Sequence, residues 1–302
     1  MTPSLGRVLE ELRELVDARL PRLLSAGAPG VPDPLDLLPA AAREALTSPG
    51  KRVRPALVFL TGDLFGASRQ PLLDPACAVE MVHAASLALD DLPCMDDAVA
   101  RRGRPALHVA HGEDMAILAS VTLLARAFGV LADAALRPGG GGQHLLPSTA
   151  ALDLISRLAE ACGLSGLASG QALDLRTPEE KATFDRLEAI HARKTGALFV
   201  ASAEFGAVLG GAREKELAAV RSYARNVGLA FQIVDDLLER APGTGKESRR
   251  AATPSFARHV GREGARRLAE DLTAHALEAL RPFAKKGRML AEFAVLLRDR
   301  TR

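Results

Sequence analysis

The chain has 302 residues, and no Pro-, Gly- or Ser-rich linker divides it, so we predict a single domain over residues 1–302. Its 39 Lys and Arg nearly balance its 37 Asp and Glu, and a formal net charge of +2 gives no reason to expect a nucleic-acid partner. Three cysteines without CxxC spacing predict neither a disulfide framework nor a zinc site, and they fit a reducing cytoplasm.

The N-terminal part of the chain is predicted to be helical. Apolar residues at helical spacing indicate a first helix over residues 5–20, and a Gly/Pro loop at residues 27–34 leads to a short helix near residues 35–46. The first helix carries several acidic residues, unlike a signal peptide. No segment approaches the roughly 20 uninterrupted apolar residues that span a bilayer, so we predict no membrane span.

A basic turn precedes the next predicted helix, which covers residues 56–65. The turn reads Lys51-Arg52-Val53-Arg54-Pro55. The start of a helix offers unpaired N–H groups and the positive end of the helix dipole, and added cations suit an anionic ligand. A basic turn taken alone is more often only solvated, so this signal depends on the rest of the chain.

The first acidic cluster follows a helix predicted over residues 76–89, which Asp74-Pro75 would begin. Pro93 cannot continue that helix, so the chain must turn there. Four carboxylates lie at this turn, those of Asp90, Asp91, Asp96 and Asp97. Carboxylates held this close repel one another unless a cation lies between them, and Mg²⁺ prefers oxygen ligands of this kind.

Three arginines, Arg101, Arg102 and Arg104, come directly after the acidic cluster. Guanidinium groups bind phosphate oxygens in a bidentate manner, so the combined pattern predicts a site for a metal ion and a phosphate. The alternative is a set of surface salt bridges, each contributing about 0–1 kcal/mol. A second acidic cluster further along the chain favours the metal site.

The middle of the chain is predicted to form several more helices. Residues 113–136 form a long helix that ends before a run of glycines, and Ser148 would cap a helix that ends at residue 162. Residues 163–175 are rich in small side chains that let helices approach closely.

A capping box beginning at Thr177 would start the helix that carries Lys194, Thr195 and Gly196. A lysine and a threonine inside an apolar helix are poor packing choices unless a ligand approaches there.

The second acidic cluster ends another apolar helix, and Asp235 and Glu239 lie four residues apart on one helical face, with Asp236 between them. Two carboxylate clusters on two buried helices predict a cavity with metal ions held between facing walls. Two amphipathic helices, over residues 256–280 and 290–297, complete the chain.

These motifs resemble those of trans-isoprenyl diphosphate synthases. The segment Asp90-Asp91-Leu92-Pro93-Cys94-Met95-Asp96 is similar to the first aspartate-rich motif of that family, and Arg101-Arg102-Gly103-Arg104-Pro105 is similar to the arginine motif that follows it. Residues 81–132 most resemble bacterial geranylgeranyl diphosphate synthases. The chain resembles farnesyl diphosphate synthases nearly as well. The resemblance implies an all-α fold, a single large helical bundle around a central cavity of the isoprenoid synthase type.

The resemblance also implies the activity and the residues that serve it. The family condenses isopentenyl diphosphate with an allylic prenyl diphosphate, requires Mg²⁺ and is usually homodimeric. The implied metal ligands are Asp90, Asp91, Asp96, Asp235, Asp236 and Glu239. The implied diphosphate ligands are Lys51, Arg54, His83, Arg101, Arg102 and Lys246. The implied catalytic residues are Lys194, Thr195 and Gln232, and the family motif that includes Gln171 and Asp174 supports the pocket.

Product length is expected to depend on the residues five and four positions before Asp90. They are Ala85 and Ser86, and the resemblance implies that small residues here leave room for a twenty-carbon product. Farnesyl diphosphate is the alternative product. A terpene cyclase is disfavoured because the chain has no Trp, one Tyr and ten Phe to line a cation cavity. A weakly active partner subunit stays open, because Glu239 replaces an aspartate and the segment after Lys246 lacks a second lysine.

Overall fold

A computed structural model describes residues 4–25, 37–136, 145–238, 247–248 and 254–301, with only the backbone of residues 247–248. The first half of the described chain is built from six helices: α1 (Leu5–Ser25), α2 (Leu37–Thr47), α3 (Val53–Leu64), α4 (Arg69–Asp90), α5 (Leu107–His111) and α6 (Glu113–Leu136). The predicted loop at residues 27–34 and the glycine run before residue 145 lie outside the described residues.

The second half of the described chain is also helical. It contains α7 (Ser148–Cys162), α8 (Leu167–Leu175), α9 (Phe184–His191), α10 (Ala197–Leu209), α11 (Glu214–Leu238), α12 (Phe256–His259), α13 (Gly261–Ala279) and α14 (Arg288–Arg298). Two short 3₁₀ helices cover Glu179–Lys181 and Arg281–Gly287, and one turn of π-helix covers Ala192–Gly196. The predicted all-α fold is confirmed.

The core is formed by long helices that pack along one another. Helix α4 lies against α3 and α6, α10 lies against α3 and α11, and α11 lies against α13. Phe59, Phe199 and Phe205 are fully buried there. The backbones of α3 and α10 touch at Gly206, where an added Cβ would lie 2.1 Å from the carbonyl oxygen of Val58. These helices therefore set the positions of their ends, where the acidic and basic motifs lie.

A small antiparallel sheet joins two of the sequence motifs. Strand β1 (Ala98–Arg101) contains the start of the arginine motif and pairs on one side with β2 (Arg104–Pro105). On its other side β1 pairs with β3 (Glu247–Ser248), which lies just beyond the second acidic cluster in the sequence. The sheet therefore holds the segments that follow the two acidic clusters side by side.

The predicted start of α4 is wrong. The helix begins at Arg69, so Asp74 and Pro75 lie inside it. Pro71 occupies the first turn, where a missing N–H costs no intrahelical hydrogen bond. Instead of capping the helix, Asp74 forms an ion pair with Arg19 of α1 at 2.7 Å.

Three other predicted helix ends also differ from the structure. Thr177 does not start α9, because its hydroxyl donates to the carbonyl of Leu173. Thr183 caps α9 instead, where it accepts from the backbone N–H of Arg186. Ser148 is the first residue of α7 and makes no capping bond.

The helix predicted over residues 256–280 is two helices, because Gly261 adopts a φ of 74° between α12 and α13.

Within the described residues, α4 and α6 are long and apolar enough to cross a membrane by length and composition alone. In α4, 72% of the most apolar 18-residue stretch is buried inside the bundle, as expected for a core helix. In α6, 39% of the corresponding stretch is buried. No membrane span is implied. The apolar residues of α6 that face outward instead form an exposed surface.

Candidate active site

The first acidic cluster folds back on itself at the end of α4. The backbone N–H of Asp96 donates to the carbonyl of Asp90 at 3.0 Å, and that of Ala98 donates to the carbonyl of Asp91 at 3.1 Å. Asp97 adopts a φ of 48° within the turn. The chain therefore turns where Pro93 predicts, and the carboxyl-bearing residues on its two sides are brought together.

Asp91 is paired with the arginine motif. Its two carboxylate oxygens accept from Nη2 and Nε of Arg101 at 2.6 and 2.8 Å, and Asp91 is buried. Burial alone would lower the pKa of Arg101, but the hydrogen bond from Asp91 and the nearby charges of Asp90 and Asp96 raise it above the usual value. Asp91 therefore orients Arg101 at the edge of the acidic turn.

A second group of cations lies at the start of α3. Arg54 Nη1 lies 3.3 Å from His83 Nε2 on α4, and the Arg54 guanidinium lies 5.0 Å from the centre of the Phe199 ring. Burial lowers the pKa of Arg54 to about 10. Burial and the charge of Arg54 also hold the pKa of His83 well below 6.5, so His83 is neutral and accepts the hydrogen bond.

Arg102 connects the arginine motif to this basic turn. It has a φ of 54°, and its Nη1 donates to the carbonyl of Pro49. The same Nη1 lies 2.9 Å from the place that a Cβ on Gly50 would occupy. Burial and the charge of Arg101 lower the pKa of Arg102. Lys51, Arg54, His83 and Arg102 therefore belong to one cluster.

Lys194 lies in the π-helical turn between α9 and α10. Its Nζ contacts Asp174 Oδ2 at 2.7 Å. Burial would lower the pKa of Lys194, but the charges of Asp90, Asp174 and Asp96 raise it above the usual value, so Lys194 lies near the first acidic cluster. The close approach of α8 to this turn depends on Gly170, because an added Cβ there would lie 2.2 Å from the backbone nitrogen of Lys194.

A chain of polar contacts connects Thr195 to the second acidic cluster. The hydroxyl of Thr195 donates to Gln232 Oε1 at 2.8 Å, and Gln232 Nε2 donates to Asp236 Oδ1 at 3.1 Å. The backbone N–H of Phe256 donates to Asp236 Oδ2 at 3.1 Å. Asp236 therefore links α11 to the start of α12, and its two oxygens already accept hydrogen bonds.

Asp235 has a partner that the sequence analysis missed. Arg300, which follows α14, places Nη2 2.8 Å from Asp235 Oδ1. The same nitrogen donates to the carbonyl of Phe231, and the guanidinium lies 3.7 Å from the centre of the Phe231 ring. Burial raises the pKa of Asp235, although Arg300, Arg54 and Lys51 each act to lower it. No motif marks Arg300, because it is one arginine among several in the last helix and its continuation.

The predicted site residues that the structure describes are gathered at one end of the bundle. Asp235 on α11 is close enough to the basic cluster to influence the pKa values of Arg54 and Arg102. Asp90 and Asp96 influence that of Lys194 in the same way. Glu239 and Lys246 lie outside the described residues.

The family model for polyprenyl synthetases matches residues 36–253, which is more than half of the chain. The chain belongs to this family. A geranylgeranyl diphosphate synthase of Pantoea ananas is 41% identical over 268 residues, covering 88% of this chain and 83% of the relative. A farnesyl diphosphate synthase of Escherichia coli K12 is 40% identical over 245 residues, covering 79% of this chain and 80% of the relative.

Solved structures show the same relationship. The crystal structure of a geranyltransferase from Legionella pneumophila superimposes with a TM-score of 0.84 at 31% identity, and the match covers 98% of each chain. The apo structure of a farnesyl or geranylfarnesyl diphosphate synthase from Zymomonas mobilis gives a TM-score of 0.79 at 34% identity, covering 95% of this chain and 97% of the other. This polyprenyl synthetase therefore shares its fold with its relatives over nearly its whole length.

The carboxylates of this polyprenyl synthetase suit a hard divalent cation that is shared with a substrate. Within the described ranges, no three His, Cys, Asp or Glu side chains converge as a complete metal site. Mg²⁺ usually takes only one or two protein carboxylates and completes its shell with water and phosphate oxygens. Asp90 and Asp96 in the first acidic cluster and Asp235 in the second carry oxygen ligands of this kind, so the residues fit Mg²⁺.

Proposed function

We propose that this polyprenyl synthetase condenses isopentenyl diphosphate with an allylic diphosphate and that its main product is geranylgeranyl diphosphate. The observation that supports this reaction most directly is that each acidic cluster has its own group of neighbouring cations. One group contains Lys51, Arg54 and Arg102, and the other contains Lys194 and Arg101. Two diphosphate substrates would require two such groups.

The allylic diphosphate is proposed to bind beside the acidic clusters. Its phosphate oxygens would contact Arg101 and Lys194, and Lys246 is proposed to join them. Mg²⁺ held by Asp90, Asp96, Asp235 and Glu239 would supply Lewis-acid stabilisation of the leaving diphosphate. Such stabilisation lowers the barrier by an amount on the order of several kcal/mol. Asp91 and Asp236 are proposed to support these ligands through their contacts with Arg101 and Gln232.

Isopentenyl diphosphate is proposed to bind at the basic turn, where Lys51, Arg54, His83 and Arg102 would hold its phosphates. Neutral His83 accepts from Arg54 and so keeps that guanidinium in place. The oxygen atoms of Thr195 and Gln232 would stabilise the allylic cation by their dipoles. The departing diphosphate is proposed to take the proton that is lost after the new bond forms.

The proposed reaction is tested by incubating the purified protein with Mg²⁺, isopentenyl diphosphate and, in turn, dimethylallyl, geranyl and farnesyl diphosphate. We expect twenty-carbon product to dominate. Replacing Asp90 by Asn should lower the turnover number by about 100-fold or more, because removing one group that stabilises developing charge typically costs that much. Asp271→Asn changes an exposed carboxylate on α13 and should leave the turnover number unchanged.

Absence of product with every primer would contradict the proposal. It would favour the second candidate, a weakly active partner subunit, which the sequence around Glu239 and Lys246 supports. Fifteen-carbon product as the end point would identify the chain as a farnesyl diphosphate synthase.

We also propose that the protein is a single-domain homodimer in the cytoplasm. The outward face of α6 supports the dimer, because Ile117, Leu118 and Val121 are 42%, 45% and 56% exposed and form one apolar stripe. The three cysteines are free thiols, which fits a reducing compartment.

A further inference from the structure

Arg52 has an unusual backbone conformation in the middle of the basic turn. Its φ and ψ are 49° and 41°, which is the left-handed region that a residue with a side chain rarely adopts. It is only 6% exposed, whereas the neighbouring Lys51 is exposed. Something must therefore hold Arg52 in this conformation, because the backbone alone does not favour it.

The side chain of Arg52 is held by two helices. Its Nε donates to Asp17 Oδ1 on α1 at 2.7 Å, and its Nη1 donates to Glu80 Oε1 on α4 at 2.8 Å. Its Nη2 donates to the carbonyl of Ser48 at 3.1 Å. The planar guanidinium has donors in all three directions, and a lysine ammonium at the end of a flexible chain could not reproduce this arrangement.

Glu80 is a buried anion beneath the proposed diphosphate ligands. It is 4% exposed and lies three residues before His83, so both are on the same side of α4. Its charge acts to raise the pKa values of Arg52, Arg54 and Arg102. Glu80 therefore offsets the mutual repulsion of three guanidinium groups and holds one of them directly.

We propose that Arg52 is a positioning residue for the isopentenyl diphosphate site. Clamped by Asp17 and Glu80, it fixes the left-handed bend of the turn, and this bend presents Lys51 and Arg54 to the same substrate. Arg52 itself does not contact the substrate, because its side chain is buried and its nitrogens are hydrogen-bonded to α1, α4 and Ser48. This inference rests on the proposed function, since that function assigns isopentenyl diphosphate to the turn.

The chain offers a matched control. Arg19 on α1 pairs with Asp74 on α4 at 2.7 and 2.8 Å, so it links the same two helices without involving the basic turn. Arg19→Lys and Arg52→Lys each keep the charge and remove the planar donor group. If both pairs only stabilise the fold, both variants should change the melting temperature and neither should change substrate binding selectively.

The test compares wild type, Arg52→Lys, Asp17→Ala and Arg19→Lys in steady-state kinetics. We expect Arg52→Lys to raise the KM for isopentenyl diphosphate about tenfold, with the turnover number and the KM for the allylic diphosphate within about twofold of wild type. Asp17→Ala should shift the same constant in the same direction by less, because Glu80 still holds Arg52. Arg19→Lys should leave all three constants unchanged.

Binding of isopentenyl diphosphate in EDTA, measured by calorimetry, separates this inference from the proposed reaction. If wild type gives no product but binds isopentenyl diphosphate, and Arg52→Lys binds it about tenfold more weakly, the proposed function fails and the positioning role stands. If Arg52→Lys binds it as tightly as wild type, the positioning role is overturned whether or not the enzyme turns over. Equal rises in the KM of both substrates, or a change in melting temperature alone, would also overturn it.

Discussion

His191 is a buried imidazole that packs 5.3 Å from the ring of Phe256. Within the part of the chain that the structure describes, neither of its ring nitrogens has a hydrogen-bond partner. Burial therefore lowers the pKa of His191 to about 4. The unfolded chain binds a proton at this position near pH 6.5, and the folded chain does not, so stability must fall as the pH drops below about 6.5.

We expect His191→Phe to reduce this pH dependence. From pH 7 to pH 5, the free energy of unfolding of wild type should fall by roughly 1–2 kcal/mol more than that of the variant. The reason is that only wild type has an imidazole at position 191, and this imidazole binds a proton in the unfolded chain but not in the folded one. The pKa of His83 is also lowered, but His83 is present in both proteins, so its effect cancels in the comparison. Denaturant titrations at several pH values measure the difference, and parallel profiles for the two proteins would contradict it.

At the residue scale, the sequence predicts which carboxylates are important but does not distinguish their tasks. Spacing treats Asp90 and Asp91 alike, and only the folded chain shows that Asp91 pairs with Arg101 in β1. Asp235 and Asp236 are likewise adjacent, yet one pairs with Arg300 and the other accepts from the backbone N–H of Phe256. These partners lie from 10 to 65 residues away, beyond the reach of any local pattern.

Helix α4 connects the acidic turn to the proposed path of the growing prenyl chain. His83, Ser86 and Asp90 lie on one partly exposed face of α4, whereas Ala85 is fully buried beside that face. The hydroxyl of Ser86 donates back to the carbonyl of His83, so it occupies little space beside the helix. Both positions below the acidic turn are therefore filled by small groups.

We expect Ala85→Phe to shift the main product from twenty to fifteen carbons. Ala85 is fully buried, so a phenyl ring there must displace neighbouring atoms, and we expect them to move into the proposed path of the prenyl chain. Such overpacking costs about 1–3 kcal/mol of stability, which makes the melting temperature a necessary control. Ser86→Phe places the ring on the partly exposed face and should shorten the product with a smaller loss of stability. Chromatography of the dephosphorylated products measures the product length. An unchanged length in both variants would show that this part of α4 does not limit the growth of the prenyl chain.

At the element scale, helical periodicity predicts the long helices well and their ends less well. Helix α6 begins and ends at the predicted residues because acidic residues open it and an uninterrupted apolar pattern continues through it. The start of α4 escapes prediction because two prolines, Pro71 and Pro75, both lie in the helix and each suggests a different first turn. Strand β3 could not be predicted, since two residues carry no alternating pattern and their pairing with β1 is set by the fold.

At the scale of the whole molecule, the exposed apolar stripe on α6 indicates how two copies would meet. We expect the protein to be a dimer at micromolar concentration and expect Val121→Glu to make it monomeric, because a pair of buried, unpaired carboxylates would lie at the interface. Leu164→Glu is the control, since Leu164 is 93% exposed and belongs to the turn before α8 rather than to α6. Light scattering coupled to size exclusion measures the mass. A monomeric wild type, or a dimer of Val121→Glu, would exclude this face as the interface.

The overall charge of the molecule gives little indication of its site. A net charge of +2 gives no reason to expect a nucleic-acid partner, yet Arg52, Arg54, Arg101 and Arg102 are concentrated at one end of the bundle together with several carboxylates. Sequence patterns find these charges because they lie at helix ends and turns. They do not find Glu80, which is an isolated acid among the apolar residues in the middle of α4.

The position of Arg300 has a practical consequence for making the protein. A purification tag joined after Arg302 would begin three residues beyond Arg300, whose guanidinium contacts Asp235 and Phe231. A polyhistidine tail there would bring imidazoles, which bind nickel or zinc, close in sequence to the partner of Asp235, a proposed magnesium ligand. Recombinant material intended for kinetics should therefore carry its tag on α1, or have a C-terminal tag removed by protease before assay.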